Sequence, residues 1–381
     1  MIEMLMSVAL AFGITFYAIP VIITVSTEKR LFDMPNDRKV HRLPVPSLGG
    51  LGMFSGIIAA VLLMVPFTGL NSSFQYIFAA LMVMFFVGVK DDLVNMPPFK
   101  KFLGQMLAAV ILVFKGGFVI DNMYGILGIS QLPPFAAWFL SVITIIVVIN
   151  AFNLIDGVDG LASMIVLVSS LLFAIFFGIN GDYAFGCLAA SVAGAVGAFL
   201  IFNYQPARIF MGDTGSLMLG LLMSVLVIRF ISTANSAPIL SIGAAPVVGF
   251  AILFVPLFDT FRVFSWRMLQ GTSPFTPDRN HIHHVLLRHG LSHSSVALSL
   301  AAANLAFALL AFSMQKVDNN LAFVVLHLLA FAIVGYFSYV QMRRRVRGIN
   351  ETVGTITYVR KSKAASSATL VDEVAAPARK N

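Results

Sequence analysis

Charge is scarce in this sequence. Asp, Glu, Lys and Arg make up 11% of its 381 residues, against about 25% in an average soluble domain. With 59% of the residues hydrophobic and a mean hydropathy of +0.91, too little polar surface is left to coat one soluble core. Intrinsic disorder and a coiled coil are excluded by the same figures. Cysteine is almost absent: Cys187 is the only one, so no intrachain disulfide can form, and its apolar neighbours mark it as a small core residue. There are 2 Trp against 35 Phe. No Walker A pattern occurs, which argues against ATP hydrolysis. Neither a fixed-period repeat nor inverted-repeat symmetry is visible in the hydropathy.

Long apolar runs are abundant. A bilayer core takes about 20 apolar residues per helix, and about eleven runs meet that length. They begin near Met1, Leu48, Phe74, Phe102, Phe135, Val158, Tyr183, Thr214, Pro238, Val296 and Asn320, and end near Thr24, Pro66, Val89, Ile120, Ile149, Ile179, Phe202, Ile231, Phe258, Phe312 and Val340. The expected fold is all-α: a polytopic integral membrane helical bundle with about 11 transmembrane helices over residues 1–342. A basic, disordered cytoplasmic tail is expected over 343–381. Within it Arg343, Arg344, Arg345 and Arg347 are expected to act as a stop-transfer and anionic-lipid cluster. The first run has Glu3 in place of a basic leader region and no small-residue cleavage site before Glu28, so it is expected to be retained.

Placing the loops alternately on two sides puts 22 of the 25 Lys and Arg on one of them. Basic loops favour the cytoplasm, so the N-terminus is expected outside and the C-terminus in the cytoplasm. The same side carries 13 of the 17 acids, which the positive-inside rule does not require. The net charge of +8 thus separates into an orientation signal, a basic tail and a local cluster, and does not point to nucleic acid. Any chemistry is expected on the cytoplasmic face.

Four inside loops carry unusual residues. Asp91 and Asp92 end the third run. Adjacent carboxylates repel and cost roughly 2.5–3.5 kcal/mol each at membrane depth, so the pair calls for a cation or a proton, unless it is merely solvated at a helix end. Lys100 and Lys101 follow, readable also as membrane anchors. In the next such loop Asn150, Asn153, Asp156 and Asp159 recur every three residues, near one face if the turn is helical. Two amides and two carboxylates on one stripe suit a hard divalent cation, with Gly157 and Gly160 allowing close backbone approach; a helix N-cap would explain one of the four. Asp213, in Met211-Gly212-Asp213-Thr214-Gly215-Ser216, is either an N-cap or a holder of metal-bound phosphate. The longest loop holds Asp259-Thr260-Phe261-Arg262 and then Pro277-Asp278-Arg279-Asn280-His281-Ile282-His283-His284. The histidines suggest zinc, yet cysteine is lacking and acids are many, so magnesium and phosphate fit better. Arg and imidazole donors can clamp a diphosphate. Carboxylates for a divalent cation beside cations for phosphates are the equipment of phosphoryl transfer.

These four motifs, taken in order from about Lys39 to His289, resemble the polyprenyl-phosphate N-acetylhexosamine-1-phosphate transferases. That resemblance implies transfer of a sugar-1-phosphate from a UDP-sugar to undecaprenyl phosphate with release of UMP, at the cytoplasmic face of a bacterial inner membrane, in the building of a cell-envelope polysaccharide. By motif it implies Asn153 and Asp213 as ligands of Mg2+, or Mn2+ in its place. Asp91 and Asp92 would stand beside the lipid phosphate, one as base or as the nucleophile of a two-step path, with Asp156 as a further essential acid. Lys101 would face the polyprenyl phosphate and Asp159 the uracil. His283 and His284 would hold phosphates or sugar, with Arg262, Arg279 and His281 in the same loop. Expected partners are a UDP-N-acetylhexosamine, undecaprenyl phosphate, membrane lipids and a second copy of the chain as a homodimer.

Among branches, the peptidoglycan-precursor one, which makes phospho-MurNAc-pentapeptide lipid, carries a third consecutive histidine and a nearby acid. This chain has Val285 and Leu286 there. Ser273-Pro274-Phe275 with Arg279-Asn280-His281 looks like the branch that starts O antigen or related polymers, usually from UDP-GlcNAc. A lipid-phosphate transporter or flippase is the competing class, and it would place ionisable residues at helix centres. Most helix centres here carry none.

Overall fold

The computed structural model describes residues 1–33, 45–66, 72–272, 280–340 and 343. In chain order the helices are α1 (Ile2–Glu28), α2 (Gly49–Met64), α3 (Phe74–Val94), α4 (Pro98–Val110, continued by a π turn Ile111–Lys115), α5 (Pro134–Ile155), α6 (Leu161–Ile179), α7 (Tyr183–Asn203), α8 (Gly212–Ala234), α9 (Ala245–Ile252), α10 (Phe254–Leu269), α11 (Ile282–Arg288) and α12 (His293–Ser313), followed by α13 (Asn319–Val340). One two-residue antiparallel pair joins β1 (Phe32–Asp33) to β2 (Val45–Pro46). The chain divides into two compact units, Met1–Leu328 and Leu329–Asn381. The second is described only over residues 329–340, the latter half of α13, and at Arg343, whose guanidinium lies 5.1 Å from the centre of the Tyr339 ring. The expected tail beyond it lies outside the described residues.

The all-α expectation holds. Seven described helices (α1, α5, α6, α7, α8, α12 and α13) are long and apolar enough to cross a membrane, or eight if the bent pair α9–α10 makes one span. Each of the eleven apolar runs falls on a helix or, in one case, on a pair. α7 and α8 are the most enclosed of the candidate spans, while α1 turns most of its surface outward. This is the pattern of a bundle whose outer residues face lipid, and there small residues rather than apolar burial decide which helices meet.

One run departs from expectation. The stretch read as a single helix from Pro238 to Phe258 is two helices bent by 87°. Leu253 at the break is not helical (φ −111°, ψ 24°). Pro256 has no N–H to offer the Ile252 carbonyl one turn earlier, so the helical ladder cannot cross this point. The segment from 116 to 133, apolar but broken in sequence, forms a small connection closed by an Asn122–Gln131 bridge.

The start of α8 is held from three sides. Phe210 N–H donates to the Pro46 carbonyl (2.7 Å), and Gly49 and Gly50 N–H donate to the Phe210 and Met211 carbonyls (both 3.0 Å). On the α3 side, contact is possible only because residue 88 is glycine: a Cβ there would lie 2.4 Å from Thr214 Cα. Gly88→Ala is therefore expected to lower stability by about 1–3 kcal/mol through overpacking, read as a lower thermal unfolding midpoint in detergent. An unchanged midpoint would contradict the close approach.

Candidate active site at one end of the bundle

α3 ends at Asn95, whose φ of 50° is a conformation that Asn tolerates better than most residues. Pro97 and Pro98 then open α4, because proline is accepted at a helix's first positions. This tight reversal returns Lys101 to the end of α3. Its ammonium pairs with Asp91 Oδ2 and donates to Asp213 Oδ1 at 2.8 Å. Asp91 Oδ1 also accepts Met96 N–H at 2.5 Å. One cation thus bridges two acids that are far apart in sequence.

Asp92 points instead at the start of α8. Its Oδ1 accepts Asp213 N–H (2.7 Å), and its Oδ2 accepts Thr214 N–H (3.0 Å) and the Thr214 hydroxyl (2.5 Å). The helix is capped by a residue of another helix, and the N-cap reading of Asp213 does not hold. Freed from that task, the Asp213 carboxylate accepts from Asn153 Nδ2 at 2.5 Å, and Asn153 also donates to Ser216 Oγ at 2.9 Å. The structure therefore brings Asn153 and Asp213 together as the motif reading expected, with Lys101 and Asp91 beside them.

The three-residue row does not stay on one face. α5 stops at Ile155, Asp156 leaves the helix (φ −78°, ψ 51°), and Gly160 turns left-handed (φ 75°) to start α6. The helical period is lost before the row is complete. Asn150 exchanges bonds with Gln105 (2.8 and 3.3 Å), while Asn153 meets Asp213. Asp159 is buried; its Oδ2 accepts Ala207 N–H (3.3 Å) and its Oδ1 lies 3.6 Å from His293 Nδ1. Asp156 is partly accessible to solvent yet deeply surrounded by protein. Its carboxyl is pushed up to about 7, first by burial and then by Asp213, Asp92 and Asp159.

A second group of residues comes from α10 and α11. The buried Asp259 accepts from Arg262 Nη2 (2.7 Å), pairs with His281 Nδ1 (2.9 Å) and accepts Ile282 N–H at the start of α11 (3.0 Å). Arg262 also donates to the Asn280 carbonyl (2.5 Å). The His281 and His283 rings stack at 5.7 Å, and His284 lies 4.3 Å from His283. His283 Nε2 would sit 2.7 Å from a Cβ at position 157, so Gly157 lets the histidine arm meet the loop that holds Asp156. Burial, and then His284, lower the His283 imidazole to about 3 and keep it neutral. Its Nδ1 and Arg262 Nε are buried without a partner among the described residues. Arg279 and the Ser273–Thr276 part of the motif lie outside the described residues.

Sequence reasoning gave no role to Asp259, His293 or Gln105. Asp259 carried a readable hint in Arg262 three residues on. His293 and Gln105 carried none, since their partners are distant in the chain. Among the described residues no three His, Cys, Asp or Glu side chains form a metal cage. The oxygen-rich set around Asp213 nevertheless suits a hard cation that keeps waters and takes further oxygens from a phosphate.

Residues 74–231, from α3 into α8, match the model of a family described as glycosyl transferase family 4. A decaprenyl-phosphate N-acetylglucosaminephosphotransferase of Mycobacterium tuberculosis is 32% identical over 311 residues, covering 75% of this chain and 76% of the relative. An undecaprenyl-phosphate alpha-N-acetylglucosaminyl 1-phosphate transferase of Escherichia coli is 28% identical over 317 residues, covering 80% and 83%.

The position of Asp156 sets a pH dependence. An ordinary Asp carboxyl has a value of 3.8 and this one about 7, so between them the folded chain keeps a proton that the unfolded chain has lost. Stability then falls as pH rises from about 4 to about 7. In buffer free of divalent cations, the unfolding midpoint of Asp156→Asn is expected to gain on wild type across that window. Parallel curves would mean that Asp156 is already ionised in the folded chain.

Proposed function

Because the chain belongs to glycosyl transferase family 4, among the polyprenyl-phosphate N-acetylglucosamine-1-phosphate transferases, we propose that it moves GlcNAc-1-phosphate from UDP-GlcNAc to undecaprenyl phosphate. The observation that carries this reading is the convergence of Lys101 and Asn153 on Asp213, with Asp91 paired to the same Lys101 ammonium. An oxygen of the lipid phosphate attacks the phosphorus bearing the sugar; a P–O bond forms there, and the bond to UMP breaks with its electron pair leaving on UMP.

Asp213 and Asn153 would hold Mg2+, Asn153 through its amide oxygen after rotation of the amide, with phosphate oxygens and waters completing the shell. When bound, the ion would neutralise charge on the diphosphate and ease departure of UMP. Lys101 serves as counter-charge for the lipid phosphate. Asp92 is committed to α8, so Asp91 is the member of the acidic pair assigned to the lipid phosphate and its proton. Asp156 is the further acid beside the reacting phosphates. Arg262, His281, His283 and His284 face the nucleotide sugar, joined by Arg279, and Asp159 belongs to the uracil side.

The protein is multi-pass. The proposed topology has eleven spans: the seven long apolar helices together with α2, α3, α4 and the bent pair α9–α10. The N-terminus is outside, and the site faces the cytoplasm from a bacterial inner membrane. The one-sided distribution of Lys and Arg supports this orientation. A homodimer remains part of the proposal.

Purified protein supplied with undecaprenyl phosphate and Mg2+ is expected to release UMP from UDP-GlcNAc in preference to other UDP-N-acetylhexosamines, and to stop when EDTA is added. No turnover of any member of that panel would reject the reading, and EDTA-resistant turnover would reject the metal. Asp213→Ala is expected to lower kcat by a factor of about 10²–10³ or more, with the unfolding midpoint little changed. Retained Mg2+-dependent turnover would show that another group holds the ion.

A further inference from the structure

The break between α9 and α10 leaves two backbone groups that a continuous helix would satisfy. The Ile252 carbonyl has lost the N–H that Pro256 lacks, and the N–H groups of the first turn of α10 have no preceding carbonyls. Both are met by one side chain, from a residue near the middle of α12. Asn304 Nδ2 donates to the Ile252 carbonyl at 2.8 Å, and its Oδ1 accepts Val255 N–H at 3.0 Å. Ser169 of α6 adds a second donor to the same carbonyl at 2.7 Å and lies 3.4 Å from Asn304 Nδ2. Asn304 and Ser169 are fully buried. In a dry interior each of these groups would be costly if left unpaired.

The residue type matters. A primary amide offers a donor and an acceptor on one planar group, so it can join the last carbonyl of one helix to a first-turn N–H of the next. An aliphatic side chain does neither, and a hydroxyl would have to donate and accept from one oxygen atom, whereas the amide uses two separate atoms. The bend is therefore pinned from α12 rather than left to Pro256 alone. The direction in which α10 leaves the bend has a chemical consequence, because Asp259, four residues beyond Val255, anchors His281 and the start of α11.

We infer that Asn304 is a positioning residue for the transfer reaction: by clamping both sides of the α9–α10 break it fixes the course of α10, and through Asp259 it sets His281 and His283 against the loop that holds Asp156. The inference rests on the transferase reading above. Asn304 touches neither substrate nor the acids around Asp213, and acts only through α10.

Asn304→Leu keeps the bulk and removes both bonds. It is expected to raise the KM for UDP-GlcNAc and lower kcat, each about tenfold, while the KM for undecaprenyl phosphate stays within about twofold. Simple loss of folded protein would instead lower kcat and leave both KM values alone. Ser169→Ala, which removes only one of two donors, is expected to shift the same parameters about two- to threefold, and it serves if Asn304→Leu fails to fold. The 2 Trp of the chain allow a readout independent of activity: in a Trp138→Phe background, Trp266 on α10 is the sole reporter, and its quenching by lipids brominated at graded depths is expected to change with Asn304→Leu. Wild-type values of both KM and of the quenching profile in these variants would overturn the inference. A wild type that makes no lipid-linked product would reject the transferase reading instead, and the Trp266 profile would still decide the positioning.

Discussion

The N-terminus of α8 leaves several N–H groups without partners inside the helix, as every helix start does. Here Asp92, from the end of α3, takes two of them together with the Thr214 hydroxyl. Most of the site follows from that bond set. Because the cap is supplied from outside, Asp213 does not have to bond its own helix, and its carboxylate can face Lys101 and Asn153. The same contact needs α3 and α8 to approach within the space that Gly88 leaves, and it joins the ends of helices that the chain visits at widely separated times.

Concentrating Asp91, Asp92, Asp156 and Asp213 at one end of a membrane bundle carries an electrostatic cost, since like charges disfavour one another's ionisation. Three different compensations operate. Asp91 and Asp213 share the Lys101 ammonium, Asp92 accepts the first N–H groups of α8, and Asp156, whose carboxyl is pushed up to about 7 by burial and by Asp213, Asp92 and Asp159, can hold a proton. A site of this sign receives a phosphorylated substrate only if countercharge comes with it, which is why Lys101, Arg262 and a divalent cation belong to one reading. The histidine arm answers to a separate centre. Asp259 collects Arg262, His281 and the first N–H of α11, so the arm is oriented by a buried carboxylate on a helix whose own course is set by the break at Leu253.

Much was readable from the residues in order. The number and position of apolar runs depend on local composition, and each run is found on a helix. The pairing of Asn153 with Asp213 was implied by the family resemblance that the motifs carry, as was the placing of Asp91 and Lys101 near one phosphate. Three readings failed where the outcome depended on atoms distant in sequence. The Asn150 to Asp159 row was broken by the turn at Asp156 and Gly160. The run from Pro238 to Phe258 was split because the bonds lost at Pro256 are replaced from α6 and α12. Asp213 looked like a cap because nothing in its neighbourhood says that Asp92 already fills that place.

Consecutive residues were enough for a membrane-type helical bundle, and for an expectation of the side on which the charges gather and of the chemical type of the site, because hydropathy, charge placement and motif spacing are local properties of the chain. Which carboxylate caps a helix and which ones face a cation were settled by the tertiary structure. Those assignments depend on which helix ends meet, and a hydrogen bond between residues 121 apart, as between Asp92 and Asp213, has no signature in the order of the chain.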